Sequence, residues 1–115
     1  MGVTFSEETL EGGLTKIALA GSLDAPGAMA IEDQFKGRLR EQGGSVILDM
    51  SGLDYMSSYG LRMILMAAKA LHDRGGGLYL AAPARRVMEV IRLAGYDTMF
   101  PVYETVADAI LYLGG

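Results

Sequence analysis

Two adjacent hydroxyls, Ser57 and Ser58, are the side chains best placed for chemistry. They stand between the apolar run Val46-Ile47-Leu48 and a helical stretch that carries Leu61, Ile64, Leu65, Ala68 and Leu71. A serine at a helix start caps it by accepting a backbone N–H, or stays open to modification. Nothing else in the chain assembles a reaction centre. Glu7, Glu8, Glu32 and Asp33 read as surface charge rather than as an acid–base pair. The glycine runs Gly12-Gly13, Gly43-Gly44 and Gly75-Gly76-Gly77 lack the lysine of a phosphate loop and read as turns. The single histidine, His72, lies about four turns beyond Ser58 on one helix, so a Ser-His-Asp triad cannot form. There is no cysteine, hence no disulfide, thiolate metal site or thiol nucleophile. The expectation is no catalytic residue, no metal and no cofactor, and a protein that is not an enzyme.

The bulk properties fit one compact globular domain. The 115 residues are 50% hydrophobic, enough for one core and one domain spanning residues 1–115. Charged residues at 21% and aromatic residues at 8% argue against disorder. A net charge of −4 makes nucleic acid and anionic membranes poor partners, and a basic protein surface a better one. Met1 to Glu8 has neither the basic start nor the apolar core of a signal peptide. No run approaches the roughly 20 apolar residues of a membrane span. The expectation is a cytoplasmic protein without membrane insertion.

The elements that must position the two serines follow from periodicity. Val3 to Leu10 and Leu14 to Ala20, joined at Gly12-Gly13, read as a hairpin. Gly21 to Pro26 reads as a loop, with Asp24 as a helix cap and Pro26 in the first turn. Ala28, Ile31, Phe35 and Leu39 form the apolar stripe of a helix over 27–41, closed by Gly43-Gly44. Val46-Ile47-Leu48 suits a central strand, and a polar loop then leads to Ser57-Ser58. The next helix runs to Gly75-Gly76-Gly77. A strand over 78–81, a helix from Pro83 to Leu93 and a break at Gly95 come next. Met99 to Tyr103 reads as an edge strand, since it contains Pro101. Thr105 caps a last helix bearing Val106, Ala109, Ile110 and Leu113. The fold class is α/β: a mixed, mostly parallel sheet with an N-terminal hairpin and about four helices packed mainly on one face. Of the eight methionines, most read as core filler. Met63 and Met66 fall off their helix stripe and read first as further core filler, with an adaptable docking surface as the alternative.

The stretch Leu48-Asp49-Met50-Ser51-Gly52-Leu53-Asp54-Tyr55-Met56-Ser57-Ser58-Tyr59-Gly60-Leu61-Arg62 resembles the signature of STAS domains, the family of bacterial anti-sigma factor antagonists. That signature is an apolar strand, then D-x-S-x-[LV]-x-[FY]-[ILM]-[DS]-S-x-G-L, then an apolar helix. Gly21-Ser22-Leu23-Asp24 resembles the family's G-x-L-D turn. Val90-Ile91-Arg92-Leu93-Ala94-Gly95 resembles its helix-ending glycine region. The resemblance covers essentially the whole chain.

By that resemblance, Ser58 is the serine phosphorylated by a partner anti-sigma factor, a serine kinase with a histidine-kinase-like ATPase fold. The unphosphorylated form binds this partner and frees a sigma factor. The phosphorylated form lets go, and a metal-dependent serine phosphatase restores it. The resemblance implies a partner-binding face of Asp24, Ser57, Ser58, Tyr59, Gly60, Arg62, Met63 and Met66. Arg62, one turn from Ser58, either influences the phosphate or is a solvated side chain. Two positions depart from the family pattern. Ser57 stands where many phosphorylated members carry Asp, and Tyr59 where a small residue is common. The alternative implied is a STAS module with a scaffold or regulatory role in a lipid-transport, sensory or nucleotide-responsive complex.

Overall fold

The structure is a computed structural model that describes residues 2–41 and 44–114. Strands β1 (Val3–Thr9) and β2 (Thr15–Leu23) form the hairpin, joined by a single 3-10 turn over Glu11–Gly13. Gly12 and Gly13 both take positive φ there, which glycine adopts without strain. Helix α1 (Ala25–Glu41), strand β3 (Ser45–Met56), helix α2 (Ser58–Asp73) and strand β4 (Gly77–Ala81) follow. Helix α3 (Arg85–Leu93), strand β5 (Val102–Tyr103) and helix α4 (Val106–Gly114) complete the chain. Gly43, expected with Gly44 to close α1, lies outside the described residues.

The sheet has the order β1-β2-β3-β4-β5. β1 is antiparallel to β2, and every later pairing is parallel. Repeated right-handed crossovers that always step in one direction put their helices on one face. Accordingly α1, α2 and α3 bury Phe35, Ile64 and Ile91 against Ile17, Leu19, Val46, Leu48 and Leu80. β5 is the last strand, so α4 has no further crossover to make. It folds onto the other face, where Ala109 joins Leu14, Ile47 and Ala81 in a small second cluster. β3 alternates between the two, with Val46 and Leu48 on one side and Ile47 on the other. All three are fully buried, as a central strand requires.

Several boundaries differ from the sequence expectation. β2 continues through Gly21, Ser22 and Leu23 instead of ending in a loop, because β3 extends alongside it. β3 runs on through the stretch expected to be a polar loop. Two register shifts explain why the pattern hid it. β3 carries one residue more than β2 between the pairs Ala18↔Asp49 and Ala20↔Gly52, and again between Gly21↔Leu53 and Ser22↔Tyr55. Each extra residue is a bulge, so Met50, Leu53 and Met56 point inward at every third position rather than every second. β5 keeps only two residues of the expected 99–103. The N–H groups of Met99 and Phe100 both turn back to the Tyr96 carbonyl, at 3.0 and 3.1 Å. α3 begins at Arg85, after Pro83 and Ala84.

Candidate functional site: the helix starts around Ser58

The C-terminal end of β2 organises the site. Two helices start against it, and each uses the same local device. Asp24 precedes α1, and its Oδ1 accepts the Gly27 N–H at 2.7 Å. Ser57 precedes α2, and its Oγ accepts the Gly60 N–H at 3.1 Å. A side-chain oxygen capping the N–H three residues on satisfies a donor that the helix itself leaves open. The glycine at the capped position is required by space. A Cβ on Gly60 would stand 2.8 Å from both the Leu23 carbonyl oxygen and Leu23 Cγ. A Cβ on Gly27 would stand 2.6 Å from the Ser22 carbonyl oxygen. The two helix starts are thus pressed directly onto Ser22 and Leu23.

Ser57 is tied a second time. Its backbone N–H and its hydroxyl both donate to the Leu23 carbonyl oxygen, at 2.9 and 3.1 Å. The hydroxyl therefore donates once and accepts once inside the fold, and the side chain is half-buried. Ser58 is the first residue of α2 and is exposed, with no hydrogen bond from its hydroxyl among the described residues. The two neighbouring serines are chemically distinct as a result. One is a structural cap, and the other presents a free hydroxyl beside the unpaired N–H groups of a helix start.

Beyond Ser58, one stripe of α2 faces solvent. Arg62 and Met66 follow at four-residue steps and are both exposed, Met66 at 55%. Arg62 makes no ion pair among the described residues. Tyr59 leans the other way, toward α1. Its hydroxyl donates to Glu32 Oε1 at 3.0 Å, and Lys36 Nζ meets Glu32 Oε2 at 2.9 Å. Lys36 first and Tyr59 second hold the Glu32 carboxyl below its ordinary value. Glu32 in turn raises both the Tyr59 phenol and the Lys36 ammonium. Tyr59 is a neutral donor at neutral pH, pinned across the α1–α2 groove.

The expected site residues do not all reach the surface. Met63 was expected on the rim and is instead buried at 2% exposure. α2 is the middle helix, flanked by α1 and α3 as well as by the sheet. Its buried arc is therefore wider than the Leu61, Ile64, Leu65, Ala68, Leu71 stripe, and takes in Met63 and Ala67. Gly60 is likewise buried, against Leu23, and its N–H is used by the Ser57 cap. Asp24 and Ser57 are half-buried and spent on capping. Ser58, Tyr59, Arg62 and Met66 form the exposed face. Three residues join it that the sequence reading passed over. Tyr55 is 43% exposed at the bulged end of β3. Glu32 anchors Tyr59, and Met29, 59% exposed, lies one turn before Glu32 on the same side of α1. Met29 falls outside the Ala28, Ile31, Phe35, Leu39 stripe, which was the available signal. Glu32 offered none, because a tyrosine partner far away in the chain is invisible to local spacing.

Among the described residues no group of three or more His, Asp or Glu could hold a metal ion. No described helix is long and apolar enough to cross a membrane. Comparison with known proteins agrees with the geometry. Over 90 residues the chain is 33% identical to BtrV of Bordetella bronchiseptica, described as a candidate anti-sigma factor antagonist, with 78% of each chain covered. The fold matches an anti-sigma factor antagonist from Mycobacterium paratuberculosis with a TM-score of 0.86 at 24% identity, over 98% of this chain and 95% of that one. It matches unphosphorylated SpoIIAA with a TM-score of 0.81 at 22% identity, over 97% of both chains. The phosphorylated form of Bacillus SpoIIAA gives 0.72 at 22% identity, over 96% and 99%. The family model of the STAS domain matches residues 8–109. The chain, with its bulged third strand feeding a serine-capped helix, belongs to the STAS domain family.

Proposed function

We propose that this protein is an anti-sigma factor antagonist, a protein-binding module whose docking face is switched by phosphorylation of Ser58. The observation that carries the reading is the division of labour between the two serines. Ser57 holds the fold, so Ser58 is the hydroxyl free to react. The family relationship and the names of the relatives supply the class of partner, an anti-sigma factor. The partner is a serine kinase with a histidine-kinase-like ATP-binding fold, and a serine phosphatase reverses its action in the same cytoplasm. The chain itself serves as substrate and ligand rather than as catalyst.

In the phosphorylation step Ser58 Oγ bonds to the γ-phosphorus of ATP, and the bond from that phosphorus to the bridging oxygen breaks. ADP leaves, and a base on the kinase takes the hydroxyl proton. The product carries about two negative charges at the first turn of α2, where the N-terminal N–H groups favour an anion. The fold therefore tolerates the group. A partner packed over Tyr59, Arg62, Met66 and Met29 does not, since it must desolvate a dianion at its contact. Intact-mass measurement after incubation with the cognate kinase and ATP tests the reading. One added phosphate, absent in Ser58→Ala and present in Ser57→Ala, is expected. Transfer to Ser57 instead, or none to either serine, overturns it.

A further inference from the structure

A second concave site lies along the C-terminal half of α2, roughly 10–20 Å along the helix from Ser58. It is a groove of about 540 Å³ between the C-terminal half of α2 and the edge of β4. Leu65, Ala68, Leu78, Met99 and Phe100 give it apolar walls. Its basic lining consists of Lys69 and His72, Tyr79 adds a phenol, and no carboxylate lines it. Lys69 and His72 are exposed, and neither has a hydrogen bond or ion pair among the described residues.

The short β5 creates this opening. β3 pairs with β4 along Gly77 to Ala81, whereas β5 pairs only with Leu80 and Ala81. The Leu80 N–H is satisfied by the Pro101 carbonyl at 3.0 Å. Strand alternation turns the Leu78 N–H to that same side, beyond the reach of β5. The groove thus combines apolar walls, a sheet-edge N–H, an ammonium and an imidazole. Such a set of donors with no opposing acid selects an anion, and the walls select an apolar body attached to it. The size is that of ordinary small-molecule sites, about 300–1,000 Å³ with a few placed polar groups.

We propose that this groove binds a small amphiphilic carboxylate of the medium-chain fatty-acid type. Its chain lies against Leu65, Leu78 and Phe100, and its headgroup meets Lys69 and His72. The groove borders the proposed docking face at Met66, which lines both, while Lys69 and His72 lie further along α2 from Ser58.

Amide NMR titration of the full chain with decanoate, decanol and decylammonium tests the proposal. Decanoate is expected to saturate, with shifts confined to residues 65–72, 76–79 and 99–101. Decanol and decylammonium are expected to bind about tenfold more weakly or worse, as the loss of a charge-assisted contact implies. Lys69→Glu, a surface change, is expected to weaken decanoate by the same factor and to favour decylammonium. Three results overturn the site: equal affinity for the three probes, undiminished decanoate binding by Lys69→Glu, or no saturable shift in this groove.

Discussion

The Ser57 hydroxyl donates to the Leu23 carbonyl oxygen at 3.1 Å, which ties the start of α2 to the end of β2 across 34 residues of chain. The Ser57 Oγ in turn accepts the Gly60 N–H at 3.1 Å. Replacing Ser57 by Ala removes the cap and this tie together. The expected loss is about 1–2 kcal/mol of unfolding free energy, the usual range for an N-cap deletion. Ser58→Ala touches neither contact and is expected to stay within about 0.5 kcal/mol of the parent. Urea denaturation of both variants checks the pair, and equal losses would contradict the assignment of cap and free hydroxyl.

Gly60 makes a sharper test of the same joint. Alanine is the better helix former by about 1 kcal/mol, so propensity alone favours Gly60→Ala. The 2.8 Å approach of its Cβ to the Leu23 carbonyl oxygen acts against this, because a backbone atom of a paired strand cannot swing aside. The expected net result is a loss of about 1–3 kcal/mol, the range for overpacking a tight site. Stabilisation by Gly60→Ala in thermal or urea melts would show that the helix start is not pressed on β2.

Met63 and Met66 separate packing from docking. Met63→Ala opens a cavity in the three-helix layer and is expected to cost about 2–5 kcal/mol. Met66→Ala is expected to change stability by less than about 0.5 kcal/mol. Under the proposed function its effect is expected in partner binding, as the loss of an exposed methionine from the proposed docking face. Denaturation together with titration of the anti-sigma partner distinguishes the two. The reading fails if Met66→Ala unfolds the chain as readily as Met63→Ala.

The Glu32 cluster makes a pH prediction. The folded-state value of Glu32 lies below its unfolded one, chiefly through Lys36 and then through Tyr59. The folded state therefore releases the proton more readily than the unfolded chain. The contribution is fully present above the unfolded carboxylate range and is lost as pH falls through the folded value. NMR titration of the Glu32 carboxyl is expected to move upward in Lys36→Met and, by less, in Tyr59→Phe. A larger rise in Tyr59→Phe would reverse the assigned order of causes.

Much of the architecture was legible because it rests on local signals. The stripe Ala28, Ile31, Phe35, Leu39 and the caps Asp24 and Thr105 specify their helices, and Asp108 N–H meets Thr105 Oγ1 at 3.0 Å as a cap should. The signature around Ser58 was readable for the same reason. What escaped depends on contacts between distant segments. The bulges of β3 make Met50, Leu53 and Met56 look like a loop, because their spacing matches neither a regular strand nor a helix. Met63 looked solvent-facing until α1 closed over its side of α2. Tyr59 departs from the family's small residue, and its position is decided by Glu32 on another helix.

Affinity for the anti-sigma partner measured with the parent chain, its Ser58 phosphoform and Ser58→Asp tests the central claim most directly. The account predicts tight binding by the parent, and at least about tenfold weaker binding by the phosphoform, equal to some 1.4 kcal/mol. Ser58→Asp is expected to weaken binding in the same direction while far-UV circular dichroism stays unchanged. Equal affinity of the parent and the phosphoform, with the fold intact, would contradict it.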